Sequence, residues 1–273
     1  MPELPEVETI VRELAGELTG CTLGQVRLRR RDIVHGDPRP LGRLLTGKRV
    51  ERVRRRAKRI ILELEPATQL VFHLGMSGRL ELWDAAAPIA KHTHLRIALR
   101  DTKLELRFCD PRRFGGVWCL TEGSKHHGRT LSELGPEPLE LTLRRFAELL
   151  SRPRQIKALL LDQRAIAGLG NIYCDESLYA ANVHPLIEAG RLDDDQVRRL
   201  LRAIKTTLRK AIRYKGTTFR AYRRSDGTPG AFLRHLRVYQ RAGEPCRRCG
   251  TIIERLSAAG RSTFICPTCQ PPP

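Results

Sequence analysis

Apolar residues recur along this chain with two periods, and the change falls near its middle. In the first half, short and often alternating runs predict β-strands at 59–64 (RIILEL), 70–74 (LVFHL), 94–99 (HLRIAL) and 104–108 (LELRF). Turn residues separate them, as in a sandwich or barrel. Ahead of them Val7, Ile10, Val11, Leu14 and Leu18 share one helical face. Pro5 in the opening turn, with Glu6 and Glu8 near the positive end of the dipole, predicts a helix starting directly after Glu3 or Leu4. Its apolar stripe would hold still a terminus that in most chains frays.

GPEPLE (135–140) marks a proline-rich boundary, after which the period is helical. LTLRRFAELL, IKALLLDQ and NIYCDESLYAAN follow with short breaks. The longest predicted helix runs from about Asp194 to Tyr214, with Val197, Leu200, Leu201, Ile204, Leu208 and Ile212 as its buried stripe. Acids open it and Arg209, Lys210 and Arg213 close it, in accord with its dipole. A Gly-Pro loop, SDGTPG (225–230), leads to a cysteine-bearing hairpin and a polar tail. No repeat is visible.

Composition narrows the class. At 273 residues, 41% of them hydrophobic, the chain can bury one large core or two ordinary ones. It has neither an apolar run long enough for a membrane span nor the basic-then-apolar start of a signal peptide, so the expected address is cytoplasmic. Fifty Lys and Arg against thirty Asp and Glu give a net charge of +20, which attracts polyanions, nucleic acid above all. The excess is clustered. Lys48–Arg59 (KRVERVRRRAKR) holds eight positive residues and one acid, and Leu201–Arg224 holds nine and none. Clustering favours a shaped phosphate track over a generally sticky surface. Aromatics at 5% argue against a stacking platform for single strands.

The sharpest local signal is Cys246-x2-Cys249-x16-Cys266-x2-Cys269. Four thiolates in two knuckles match a closed tetrahedral zinc site, so the metal is expected to be structural. Two disulfides would need an oxidising compartment. Cys21, Cys109, Cys119 and Cys174 lack such spacing and read as core thiols, and His126 and His127 as exposed loop residues. In GLGNIY (168–173) a glycine turn feeds a helix beginning at Asn171 and offers backbone N–H groups to a phosphate. HLGMSGR (73–79) and DPRRFGG (110–116) set Met76 and Phe114 on turns beside Arg112. Such residues usually belong to a core, but turns lie at the surface, and exposed apolar tips on a DNA binder suggest wedges for a base stack.

The opening, MPELPEVET, carries the last candidate chemistry. Removal of Met1 before a small residue would leave Pro2 as a secondary amine beside the Glu3 carboxyl. At neutral pH a lysine is a free amine about 0.04% of the time, and a terminal amine about 10% of the time. The terminus is therefore the better nucleophile toward a sugar carbon, with a carboxyl placed for acid–base work. Most Met-Pro termini do nothing of the kind.

Taken in order, MPELPEVET, the Arg-Ala-Lys of 56–58, HLGMSG, DPRRFG, GLGNIY and the four-cysteine hairpin containing Arg261 resemble bacterial formamidopyrimidine-DNA glycosylases from end to end. The resemblance implies an α+β multidomain protein. A β-sandwich flanked by helices would occupy 1–134, a helix–two-turn–helix domain 135–231 and a zinc finger 232–273. It implies a monomer acting on damaged double-stranded DNA. A flipped, oxidised purine is released by attack of Pro2 on C1′, and a Schiff base then breaks down by β,δ-elimination. It assigns Glu3 as the acid that opens the sugar, Lys58 as proton donor of β-elimination and Arg261 of δ-elimination. Met76, Arg112 and Phe114 would fill the emptied stack. His92, Arg112, Arg154 and Asn171 would contact DNA, Glu6 and Lys157 would lie near the lesion, and the Thr217–Tyr222 loop would cover the flipped base. Two alternatives stand beside it. The endonuclease VIII branch prefers oxidised pyrimidines; Leu4 and the Met-Arg-Phe set point away from it. A plain zinc-finger DNA binder would leave Pro2, Glu3 and Lys58 without a task.

Overall fold

The computed structural model describes residues 2–121, 131–217 and 230–273. His126, His127 and most of the 217–222 and 225–230 loops lie outside them. The chain divides into two units, Met1–Glu133 with Lys215–Ala231, and Leu134–Tyr214 with Phe232–Pro273.

The first unit opens with α1 (Leu4–Leu18), whose start agrees with the position of Pro5. Two four-stranded antiparallel sheets follow. One has the order β1 (Leu23–Leu28), β6 (Thr93–Leu99), β7 (Leu104–Cys109), β5 (Arg79–Asp84). The other has the order β2 (Val50–Arg56), β3 (Arg59–Leu64), β4 (Thr68–His73), β8 (Gly116–Thr121). The short helix α2 (Leu41–Leu45) lies between β1 and β2 in the chain. Val7, Ile10 and Leu14 of α1, Leu62 and Phe72 of one sheet, and Leu80 and Phe108 of the other join one buried cluster. This is the sandwich core that the alternating runs imply.

Four of these strands match the expected runs within about two residues, and β1, β2, β5 and β8 are additional. The basic run 48–59 hides β2. Only Val50 and Val53 point inward, and a register shift between Val50 and Arg52 breaks the alternation. Two of its arginines are not free for phosphate, since Arg54 pairs with Glu63 and Arg55 lies 2.9 Å from Glu8 of α1. The segment that follows β5 is held by Arg107. Its guanidinium donates to Pro88 O at 2.8 Å, Ala87 O at 2.8 Å and Asp84 O at 3.2 Å.

The second unit holds α3 (Leu143–Leu150), α4 (Ile156–Leu161), α5 (Asn171–Ala181), α6 (Asp194–Arg213) and the hairpin β9 (Glu254–Ala258)–β10 (Arg261–Ile265). Almost every residue of α5 is buried, charged ones included, and it ends at Asn182 in the left-handed conformation. In the stripe of α6, Ala211 is buried and Ile212 only half-buried. No described helix is long and apolar enough to cross a membrane.

The N-terminus of α6 is closed by a reciprocal pair. Asp193 Oδ1 accepts from Gln196 N at 2.7 Å, and Gln196 Oε1 accepts from Asp193 N at 2.9 Å. Asp193 is exposed, so Asp193→Ala removes the cap without disturbing the core. The expected cost is about 1 kcal/mol, read as a lower urea midpoint at unchanged slope.

Candidate functional site

The chain's start is fixed by α1. Pro2 is buried and Glu3 is 2% exposed. Glu3 N donates to Glu6 Oε2 at 2.9 Å, so the first turn closes on itself. The other Glu6 oxygen accepts from Thr217 N at 2.7 Å and Thr217 Oγ1 at 3.0 Å, tying the terminus to the base of the 218–229 segment. Gly216 at φ 78° is required there: a Cβ would stand 2.7 Å from Glu6 Oε1. Lys58, 7% exposed, turns the β2–β3 hairpin after Ala57 at φ 53°. The Arg55–Glu8 pair joins that hairpin to α1, so Pro2, Glu3 and Lys58 sit on two elements locked together. Across from Arg59, His73 ends β4. Burial first, then the Arg59 and Lys58 charges, lowers its imidazole to about 4.

The turns carrying Met76 and Phe114 are organised by one buried carboxylate. Asp110 is 0% exposed. Its Oδ1 accepts from Ser77 Oγ at 2.6 Å and Arg112 N at 3.3 Å, and its Oδ2 from Gly115 N at 2.8 Å. The two turns touch backbone to backbone, since a Cβ on Gly75 would lie 2.4 Å from Gly115 N. Met76 (42%) and Phe114 (57%) therefore stand exposed on a rigid base, with the Arg112 guanidinium 4.7 Å from the Phe114 ring. His92 is half-buried nearby in sequence to β6, and its ring meets His94 edge-on at 6.5 Å.

In the second unit, Asn171 begins α5 after the glycine turn. Gln163 shapes that turn, accepting from Gly168 N at 2.9 Å and donating to Leu169 O at 2.9 Å. Asn171 Nδ2 donates to Ser262 O at 2.8 Å, and its buried Oδ1 has no protein partner. Arg261, exposed, follows the tight Ala259–Gly260 turn of the hairpin, both at positive φ. Asn171 thus holds Ser262, the residue that follows Arg261, within this unit. Arg154 is exposed and pairs with Asp162 at 2.7 Å.

Lys157, expected near the lesion, lies in the interior of this unit. It is fully buried, because α4 turns this position inward with its leucines. Its ammonium donates to Asp175 Oδ1 at 2.6 Å, Thr263 Oγ1 at 2.7 Å and Ser262 O at 3.5 Å. Burial pushes the Asp175 carboxyl up to about 7, with Lys157 pulling against it. Asp175 Oδ2 also accepts from Phe264 N at 3.1 Å. Lys157 acts inside the protein, fixing β10 and hence Arg261 to α5.

The four cysteines converge, with every sulfur within 4.8 Å of the others. The Cys249–Cys266 and Cys246–Cys269 separations are 3.4 and 4.0 Å. Tetrahedral zinc with bonds of about 2.3 Å requires sulfurs about 3.8 Å apart, so the set fits one zinc ion with no open position. Cys109 and Cys174 are buried thiols and Cys21 and Cys119 half-buried ones.

Asp110 and Glu176 escape a reading of the sequence. Asp110 carries only a turn signal, aspartate before proline. Glu176 looks like a surface acid. It is 4% exposed and accepts backbone N–H groups from Arg237, Val238 and Tyr239 at 2.9 Å or 3.0 Å. Burial pushes its carboxyl up while those donors oppose the shift.

Three family models match the chain: the formamidopyrimidine-DNA glycosylase N-terminal domain over 1–117, its H2TH domain over 134–223, and the zinc finger found in FPG and IleRS over 243–272. The formamidopyrimidine-DNA glycosylase of Herpetosiphon aurantiacus is 46% identical, covering 99% of this chain and all of that protein. That of Bacillus cereus is 41% identical, covering 99% of each. Among solved structures, the Lactococcus lactis enzyme in complex with an abasic-site DNA superposes with a TM-score of 0.92 at 35% identity, covering 99% of this chain and 100% of the other. The Thermus thermophilus protein gives 0.88 at 40%, covering 98% of each.

Two outcomes follow from this geometry. The unfolded His73 takes a proton near 6.5 and the folded one near 4, so between those values only the unfolded chain binds it. Stability should fall as pH drops through that window, by up to about 3 kcal/mol. His73→Gln should flatten this part of a urea-midpoint profile. Stripping zinc with a strong chelator should unfold the hairpin, because so small an element draws its stability from the metal. Rapid tryptic cleavage at Arg255 and Arg261, reversed by zinc, would report it.

Proposed function

The chain belongs to the formamidopyrimidine-DNA glycosylase family, and on that premise we propose how its own residues carry out base-excision repair. The substrate is duplex DNA holding an oxidised purine, 8-oxoguanine or a formamidopyrimidine. The chain acts as a glycosylase and then as a lyase at the abasic site. With Met1 removed, the Pro2 nitrogen attacks C1′ of the extruded nucleotide. The C1′–N bond breaks and the base leaves with its electron pair. Glu3 donates a proton to the ring oxygen, the sugar opens, and a Schiff base joins Pro2 to C1′. Loss of a C2′ proton expels the 3′ phosphate, and a second elimination expels the 5′ phosphate. Lys58 serves the first elimination and Arg261 the second. A covalent amine intermediate divides one hard displacement into easier steps.

The observation that carries this reading is the anchored terminus. Pro2 is buried at the head of α1, with Glu3 N bound to Glu6, so the amine needs no ordering before attack. The exposed tips support it. Flipping a base requires a few kcal/mol and a filler for the gap, and Met76, Phe114 and Arg112 stand on one stiff base. His92, Arg112, Arg154 and Asn171 hold the backbone. The zinc is structural, keeping the Arg261 turn folded. The protein works as a monomer in the cytoplasm, its sandwich (1–134) carrying the nucleophile and its helical (135–231) and zinc (232–273) parts holding phosphate.

Borohydride should trap a covalent complex with an 8-oxoguanine duplex. Pro2→Gly or an uncleaved N-terminal tag should reduce trapping at least a hundredfold. Trapping confined to oxidised pyrimidines would place the chain's activity with the endonuclease VIII branch. No band with any lesion would leave a DNA binder without this chemistry.

A further inference from the structure

Two adjoining hollows of 340 and 370 Å³ open beside His92, on the first unit. They share Arg29 and His94, and β1, the segment after it and the start of β6 line them. The charges there are unevenly compensated. Arg30 and Arg113 face Asp32, and Arg96 is held by Glu105 at 2.7 Å. Arg27, Arg29 and Lys91 have no carboxylate partner among the described residues. Arg27 donates to Gln25 Oε1 at 3.1 Å and Arg29 to Lys91 O at 3.2 Å. All three are exposed.

The site is built. Arg107 pins the carbonyls of residues 84, 87 and 88, so the segment delivering Lys91 is anchored at its near end. Arg29 binds the Lys91 carbonyl at 3.2 Å, and both residues line the smaller hollow. His94 is 5% exposed and its Nε2 meets Asp110 O at 2.9 Å, while its buried Nδ1 has no partner. A buried ring nitrogen left unpaired is costly, and here it belongs to a residue lining both hollows. Through Asp110 the same histidine is joined to the turn that carries Arg112 and Phe114.

We propose that these hollows form a second backbone-phosphate track, continuous with His92, in which Arg29 and Lys91 neutralise phosphates of the duplex beyond those nearest the lesion. The inference rests on the DNA-repair reading. It adds ligands that neither the zinc hairpin nor the wedge turns supply. Exposed cations without carboxylate partners are the ones able to release counterions from DNA; those already paired with Asp32 or Glu105 are not.

The test is the salt dependence of binding to a duplex carrying a tetrahydrofuran abasic analogue, by fluorescence anisotropy between 50 and 200 mM salt. Each phosphate neutralised contributes about 0.9 to the slope of log K against log salt. Arg29→Gln with Lys91→Gln should lower the slope by about 1.8, and Arg29→Lys with Lys91→Arg should restore it. Methylphosphonate at the phosphate Arg29 holds should weaken wild-type binding but leave the Gln pair variant unaffected. A slope equal to wild type in the Gln pair, with wild type still trapped by borohydride on 8-oxoguanine duplex, overturns the track and spares the repair reading. Loss of slope with no phosphate position coupled to Arg29 overturns it too, since a diffuse field would then suffice. Absence of trapping by wild type removes the reading and the track together.

Discussion

The buried carboxylate of Asp110 is the constraint on which the first unit's working surface depends. It accepts the Ser77 hydroxyl from one turn and the Arg112 and Gly115 amides from the other, while its own carbonyl meets His94. An uncompensated buried charge would be prohibitive; surrounded by donors it becomes a rivet. Two glycine-bearing turns, each weak alone, are thereby held edge to edge. Apolar tips can then stay exposed without collapsing into the core. A wedge that must enter a base stack has to be stiff before DNA arrives, since ordering it on binding would cost affinity.

A comparable device stands in the second unit. Lys157 and Asp175 form a buried ion pair whose remaining hydrogen bonds reach Thr263 and Phe264 of the hairpin. Buried pairs contribute little net stability, but loss of one partner leaves a stranded charge. Here the pair specifies position. With the cysteine cluster it fixes where the hairpin lies against α5, and so where the turn that carries Arg261 stands. Metal and ion pair act on opposite ends of the same small element.

The net charge of +20 is therefore not a uniform coat. Arg54, Arg55, Arg96, Arg107 and Arg113 are engaged by Glu63, Glu8, Glu105 and Asp32 within the protein. Such pairs decide which cations remain for phosphate. Arg27, Arg29 and Lys91 remain, as do Arg112 beside Phe114 and Arg261 on its turn.

Much was legible in the chain itself. Local patterns were enough for α1 and its start at Pro5, for α6, and for the strands of 59–64 and 104–108, because an apolar period and a cap are properties of neighbouring residues. The four cysteines were equally plain, since metal geometry imposes their spacing. The Arg-rich β2 was not: a strand at a sheet edge needs only two inward valines, and its neighbours read as a charge run. Nor was the interior place of Lys157, whose partners lie 18 and 106 residues away. Asp110, Glu176 and His94 acquire their roles from donors and acceptors that only folding brings near. Sequence determined the strongly periodic elements and the reactive groups, because those depend on short-range periodicity and side-chain chemistry. Tertiary structure alone decided which charges are compensated and which tips are rigid, because burial and hydrogen bonding are set by residues distant along the chain.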